Sequence, residues 1–496
     1  MRLKRAGVAA VIAGFFLAGA GAALAGLETV WTQTYGGASN DGLRSVCETT
    51  DGCFAAVGYT YSFGPSGLNI YVVKVDAEGD TIWTRAIGGS GRDYGWGICQ
   101  GVDGGCVIAG YTTSSGAGRE DVYVASIDAD GAVVWEETYG GNGSDEGRTI
   151  LRTSDGCFLV AGLTDSYGAG QSDSYLLKLN AEGDTVWTRV FGGAQSDWAE
   201  SCCQAADGCY FICGTTGSNG LSRDIYVTKV DAAGTTVWQR FYGDFSTWIS
   251  QDFGGAVVAE ADGGLAVAGS RIILSTDPLD VYFLRADSLG VQIALKRYAS
   301  PFIEYGLSMC GMPDGGYLIC GADKNEVTLK NDLLLVKRVT GSGWGWEQVI
   351  GGSGSDWGSC IIETDPGQYL IAGHTECSGA GGYDGWLLMM READAGVPGI
   401  SSKSTEVWTS PSPNPFRGGT EIRFALPSAS EVGICIYNFA GRRVKTICRG
   451  PFPAGGNAAS WDGCDDRGER VAPGIYLVRI TAGESSAVIK LVRLPD

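Results

Sequence analysis

A lone histidine is the first residue to test for chemistry, because base-assisted hydrolysis by a Ser-His-Asp arrangement needs an imidazole. His374 is the only histidine among 496 residues, which also leaves no material for a His-rich metal site. It follows an Ala-Gly pair, at a position held elsewhere in the chain by Tyr59, Tyr111, Leu163, Thr215, Ser270 and Ala322. No triad spacing surrounds it, so it reads as a variable position that happens to hold His. Carboxylates are the richer source. Asp41, Asp93, Asp145, Asp197, Asp252, Glu304 and Asp356 form one recurring column, and Asn69, Asp121, Asp173, Asp224, Asp280, Asp332 and Asp384 form a second. A third runs through the Asp-Gly turns at Asp51, Asp103, Asp155, Asp207, Asp262 and Asp314. Oxygens so arranged could hold Ca²⁺, the one metal the pattern suggests, with the first column as its ligands. No segment has EF-hand spacing. Asp also caps turns by accepting bonds from nearby amides, which explains every copy and is the favoured reading. No other cofactor is implied.

Sixteen cysteines are present, and Cys47 with Cys53, Cys99 with Cys106, and Cys203 with Cys209 each flank a turn. Bridges within hairpins and free buried thiols both fit, while the absence of CxxC pairs argues against zinc. Aromatic residues in turn-rich loops, Tyr61, Phe63 and Tyr167, could stack on sugars or cover sheet edges.

These residues recur because the chain repeats. Glycine closes a Val-Gly or small-residue-Gly pair at positions 58, 110, 162, 214, 269, 321 and 373. The intervals are 52, 52, 52, 55, 52 and 52 residues, giving seven units with a small insertion near Phe245 to Ser250. Glycine is extreme, at 79 of 496 residues, while proline stays at 14 and hydrophobic residues reach 44%. Such a composition excludes collagen and disorder and fits many short strands between tight turns. Four short strands per unit of about 50 residues predict an all-β chain, a seven-bladed β-propeller over residues 26–396. A linear solenoid is the competing architecture. The ends favour a ring. Trp recurs at 31, 83, 135, 187, 238 and 346, but no Trp strand follows the last unit, and one stands alone at the N-terminus. The sequence therefore predicts that the run around Trp31 pairs into the sheet containing Trp386 and closes the propeller.

Before it, Arg2, Lys4 and Arg5 precede an apolar run ending in Ala23-Leu24-Ala25, so residues 1–25 read as a signal peptide cleaved after Ala25. Residues 397–413 hold three prolines with many Ser and Thr and read as a linker. Composition then shifts, with 11 Lys and Arg against 8 Asp and Glu from Pro411 onward. Short β-rich runs there predict a small sandwich over residues 414–496.

Two resemblances follow from particular motifs. W-T-x-x-[YF]-G-G, DGG-[YF]-x-x-AGYT and D-x-Y-x-x-K-x-DA-x-G-x-x-x-W resemble a family of secreted bacterial β-propellers with no general assigned activity. The last of these also resembles the tryptophan-docking repeat of quinoprotein propellers, which implies a packing device between blades. Ala294 stands where the fifth unit should carry Trp. In the C-terminal part, PSPNPF, IYNFAGRRV, WDGCDDRGERVAPGIYLVRI and IKLVRL resemble two related modules. One is the Ig-like domain of flagellar hook-capping proteins, and the other is the sorting domain of the type IX (Por) secretion system. That resemblance implies a secretion-machinery partner and a secreted or cell-surface location across an outer membrane. A net charge of −20 argues against nucleic acid, and no run in the mature chain is long and apolar enough to span a membrane. The expected function is a non-enzymatic binding or adhesion protein for a glycan or surface protein. A polysaccharide-acting or quinone-dependent enzyme and a structural surface-layer component are the alternatives.

Overall fold

The computed structural model describes residues 26–65, 67–101, 104–220, 222–243, 250–273, 277–298, 303–325, 330–339, 343–352, 354–392, 408–412, 416–426, 429–438, 442–453, 455–482 and 485–494. The proposed signal peptide with Ala25, most of the proposed linker, Asp103 and the insertion near Phe245 lie outside them, as does the side chain of Glu304. The chain divides into two compact units, Met1–Ala395 and Gly396–Asp496. Every regular element among the described residues is a strand.

In the first unit the strands form four-stranded antiparallel sheets of the kind seen in propeller blades, one for each sequence repeat. The sheet Asp41–Glu48, Phe54–Thr60, Asn69–Val75 and Thr81–Ile87 is typical, with strands paired in chain order. Its two middle strands are almost wholly buried and its last strand is largely exposed. Both faces of the middle strands are therefore covered, which accounts for continuous apolar runs such as FAAVGYT instead of alternation. The pairing expected of the orphan N-terminal run is present. Leu27–Tyr35 lies antiparallel to Asp384–Glu392, with Trp31 opposite Met389 and Thr34 opposite Trp386. Trp386 Nε1 also donates to Thr32 Oγ1 at 2.7 Å. One core cluster joins this sheet to the first, packing Leu370 and Leu387 with Leu43 and Phe54.

Each first strand carries a bulge that inserts one extra residue, for example between Gly147 and Thr149. The recurring glycine lies opposite it. A Cβ on Gly58, Gly110, Gly162, Gly214 or Gly373 would overlap the carbonyl oxygen of Gly42, Tyr94, Glu146, Trp198 or Trp357 respectively. Only glycine lets the strands approach so closely, which is why this residue counts the repeat.

The tryptophan column joins neighbouring sheets. Trp31, Trp83 and Trp135 donate from Nε1 to the carbonyls of Ala77, Ala129 and Ala181 at 2.9, 2.8 and 3.0 Å. Each ring lies on the turn glycine that follows, Gly79, Gly131 or Gly183, all at positive φ. Ala294 cannot make this contact. Trp344, from the next sheet, instead packs on Tyr298 with ring centres 5.3 Å apart and donates to Arg297 O at 3.1 Å.

The second unit contains a three-stranded sheet and a four-stranded sheet. Its core gathers Phe416, Ile422, Ile434, Trp461, Tyr476 and Leu491. Trp408–Ser412, within the span read as linker, is a strand paired with Thr420–Leu426. Composition misleads there because Pro411 sits on the first strand of its sheet, an edge that tolerates a missing amide donor.

Gly162→Ala is expected to lower the unfolding free energy by about 3 kcal/mol or more through backbone overlap. Gly156→Ala, in open space at φ +80°, should cost only about 1 kcal/mol of strain. Urea unfolding of both variants measures the contrast, and equal losses would refute the close-approach explanation.

Candidate ligand-binding site

The carboxylates singled out from the sequence are occupied by their own turns. Asp41 Oδ2 accepts from Gly37 N at 2.7 Å and Ser62 Oγ at 2.6 Å. Asp145 does the same with Gly141 N at 2.8 Å and Ser166 Oγ at 2.7 Å, and Asp197 with Gly193 N at 2.8 Å and Ser218 Oγ at 2.7 Å. Asp93 accepts from Gly89 N at 2.8 Å and Ser114 Oγ at 2.9 Å. In the last unit Cys377 replaces the serine, donating to Asp356 at 3.1 Å. Asp252 instead pairs with Arg271 at 3.4 Å. Glu304 is known only by its backbone, which pairs with Asp323. These residues are spread one to a sheet. Among the described residues no three His, Cys, Asp or Glu side chains gather as a metal would require.

The other two columns are also tied to the frame. Asp173 Oδ2 accepts from Ala169 N at 2.8 Å, and burial and then the nearby Asp197 raise its pKa. In the Asp-Gly turns, Lys74, Lys178, Lys229 and Lys337 reach Asp51, Asp155, Asp207 and Asp314 at 2.5 to 2.7 Å. Burial alone would raise the Asp51 pKa. Hydrogen bonds from Lys74 and Thr49 outweigh it and hold the carboxyl at about 2.

All sixteen cysteines are free thiols. The register favours the free-thiol alternative over hairpin bridges. Cys99 lies opposite Val107 while Cys106 lies opposite Gln100, so the two thiols leave opposite faces. Cys47 and Cys203 face Ala55 and Phe211. Burial pushes the Cys106 thiol up to about 12, which makes it a poor nucleophile.

Phe63 stacks on Tyr71 at 5.6 Å, and Tyr167 leans on Tyr175 at 5.8 Å while donating to Gly140 O at 2.7 Å. Each packs on a buried tyrosine of the third strand of its sheet. All three are exposed, and Tyr61 stands edge-on to Tyr59 at 6.3 Å. Tyr59 continues into a stack with Tyr94 and Tyr111, with ring centres 5.2 and 5.7 Å apart.

This stack borders a cluster that sequence reasoning missed. The extra residue at each bulge is Arg44, Trp96, Arg148, Glu200, Gly255, Leu307 and Ser359 in successive sheets. All seven line one cavity of about 420 Å³. Arg44 Nε donates to Tyr94 Oη at 2.5 Å, and its guanidinium carbon lies 5.3 Å from the Trp96 ring centre. Arg148 bonds to Glu200 and, at 3.3 Å, to Glu146. Burial raises the Glu200 pKa despite the opposing pull of Arg148. His374 is buried near the same edge, stacked on Trp357 at 6.0 Å. Burial, and then Arg44, push its pKa down to about 3. A base so weak, with no partner on Nδ1, is badly matched to proton transfer at neutral pH. Burial also raises the Tyr94 hydroxyl to about 12. The cavity thus offers donors, acceptors and aromatic surface, but neither His374 nor Tyr94 is tuned as a base.

Residues 410–486 match the FlgD Ig-like domain family. Comparison with curated protein sequences gives no match. Among solved structures the chain is similar to a fungal alcohol oxidase of the AA5 family in complex with copper. The identity is 12%, covering 95% of this chain and 100% of that one, with a TM-score of 0.44. It is also similar to PorZ, a surface component of the type-IX secretion system of Porphyromonas gingivalis. There the identity is 13%, covering 93% of this chain and 60% of PorZ, with a TM-score of 0.40. Polysaccharide lyase Uly1 is 10% identical over 73% of this chain and 93% of its own, with a TM-score of 0.44. All-β sheets of propeller type and a C-terminal Ig-like domain describe the chain.

Because His374 is the only imidazole, its proton resonances can be followed without assignment. They should not titrate between pH 8 and about 4. The unfolded imidazole protonates near pH 6.5, so the unfolded state binds the extra proton first. Stability from this residue is therefore complete above pH 6.5 and falls by about 1.4 kcal/mol per unit toward pH 3. His374→Gln should remove that slope, and an imidazole titrating near 6.5 would contradict the burial argument.

Proposed function

We propose that this chain is an exported, non-enzymatic binding or adhesion protein. Its seven sheets form a seven-bladed β-propeller closed by the N-terminal strand, and its C-terminal domain serves secretion and sorting. The convergence of seven bulge residues, one from each sheet, on a single cavity carries the binding reading. Propellers hold variable side chains on a rigid frame, and this column varies in charge, size and aromaticity while its neighbours repeat. The partner is a glycan or a surface protein, recognised through Arg148, Glu200 and the aromatic edge. Pairing of Leu27–Tyr35 with the last sheet supports closure. The Ig-like match at residues 410–486, together with the basic-apolar start and Ala25, supports export and delivery to the cell surface through secretion machinery such as type IX.

A glycan-array screen beside a hydrolysis assay on the same polymers tests this. Retention without turnover is expected, and Arg148→Ala or Glu200→Gln should weaken it by about tenfold, the value of a charged hydrogen bond. Product formation abolished by Glu200→Gln would replace the binding reading with an enzymatic one.

A further inference from the structure

The chemistry of the cavity narrows its ligand, and this step rests on the binding reading above. Arg148 is matched by Glu146 and Glu200. Arg44 is not matched. Its Nε is used by Tyr94, and its terminal nitrogens have no hydrogen-bond partner and no carboxylate among the described residues. The rings of Tyr59, Tyr94 and Trp96, at 5.3 to 5.8 Å, stabilise the charge without neutralising it. Two more cavity-lining side chains have buried polar atoms without partners, Trp96 Nε1 and Ser359 Oγ. The indole N–H can only donate. A buried donor left unpaired is costly, and a correctly placed acceptor recovers that cost. The cavity therefore lacks acceptor oxygens and a negative charge on the Arg44 side. On the other side, the Arg148 and Glu200 pair offers both donors and an acceptor, as hydroxyl groups require. Phe253 adds an apolar wall. About 420 Å³ is within the usual range for a small-molecule site.

We propose that the cavity binds an acidic sugar unit, with its carboxylate or sulfate on the Arg44 guanidinium and its hydroxyls on Arg148 and Glu200. Trp96 and Ser359 complete the acid contact. Residues 26–410 are strongly acidic, so an anionic polymer gains little from charge density there and depends on the unmatched Arg44. Recognition should thus be of single acidic units and not of charge density.

Calorimetry on the full chain tests this with three probes: a galacturonic acid trisaccharide, the galactose trisaccharide of the same linkage, and its sulfated form. At least one acidic probe should bind about tenfold or more tighter than the neutral one. Which acidic probe wins identifies the source of the charge. Arg44→Gln should erase the preference, Arg44→Lys should keep part of it, and Trp96→Phe should weaken acid binding severalfold while retaining the ring. Unchanged thermal unfolding of each variant confirms an intact fold. Equal binding of acidic and neutral probes, still lost in Glu200→Gln, overturns the acid assignment and leaves the cavity as the site. Acid preference that survives Arg44→Gln also overturns it. Failure of all three probes to bind overturns it as well, while the array screen judges the wider reading separately.

Discussion

The frame of the first unit depends on how closely the first two strands of each sheet approach. At Gly162 the backbone passes the carbonyl of Glu146 with no space for a side chain, and the same crossing recurs at Gly58, Gly110, Gly214 and Gly373. The bulge that creates this approach adds one residue to the first strand. That residue is left out of the ladder and turned away from the two packed faces. Steric exclusion at one position thus produces a free side chain at another. The glycine column and the cavity column are two consequences of the same backbone geometry.

The polar columns work differently, because the turns of the fold hold one carboxylate oxygen each of Asp41, Asp93, Asp145, Asp173 and Asp197. At Asp41, Asp93, Asp145 and Asp197 the Gly-Gly turn donates an amide to the buried carboxylate, and a serine from the adjoining hairpin shares it. Two acidic columns meet at these turns. A side chain on Gly192 would collide with Asp173 and crowd Asp197. Burying carboxylates so close together raises the Asp173 pKa, a cost offset locally by two amide donors. Much of the net charge of −20 is therefore turn chemistry copied through the repeats. It says little about what the molecule binds.

Periodicity made the strands, the seven repeats and the partner of the N-terminal run legible, because the frame reuses the same contacts. The same regularity obscures the cavity, because Arg44, Trp96, Arg148 and Glu200 line it while standing in perfect register with the architectural columns. The signal was available as a column whose position is constant while its residue type changes from cation to aromatic to anion. The bulge was not legible, and without it these side chains have no common direction. The local partners of Phe63 and Tyr167, Tyr71 and Tyr175, are likewise set by strand register, which composition does not reveal.

Separating these columns has a mechanical consequence for the proposed binding role. Glycine, aspartate and tryptophan contacts hold the sheets, and none of them passes through the bulge side chain. Substituting that side chain therefore leaves the ladder, the turn caps and the docking of Trp83 on Gly131 in place. Gly255 is the exception, because a Cβ there would come within 2.7 Å of the Gly306 carbonyl oxygen in the next sheet. A cavity built this way can change its chemistry without changing its frame. Rigidity then favours affinity, because Arg44 and Arg148 are already oriented by Tyr94 and by Glu146 and Glu200 before any ligand arrives. Little ordering entropy remains to oppose binding.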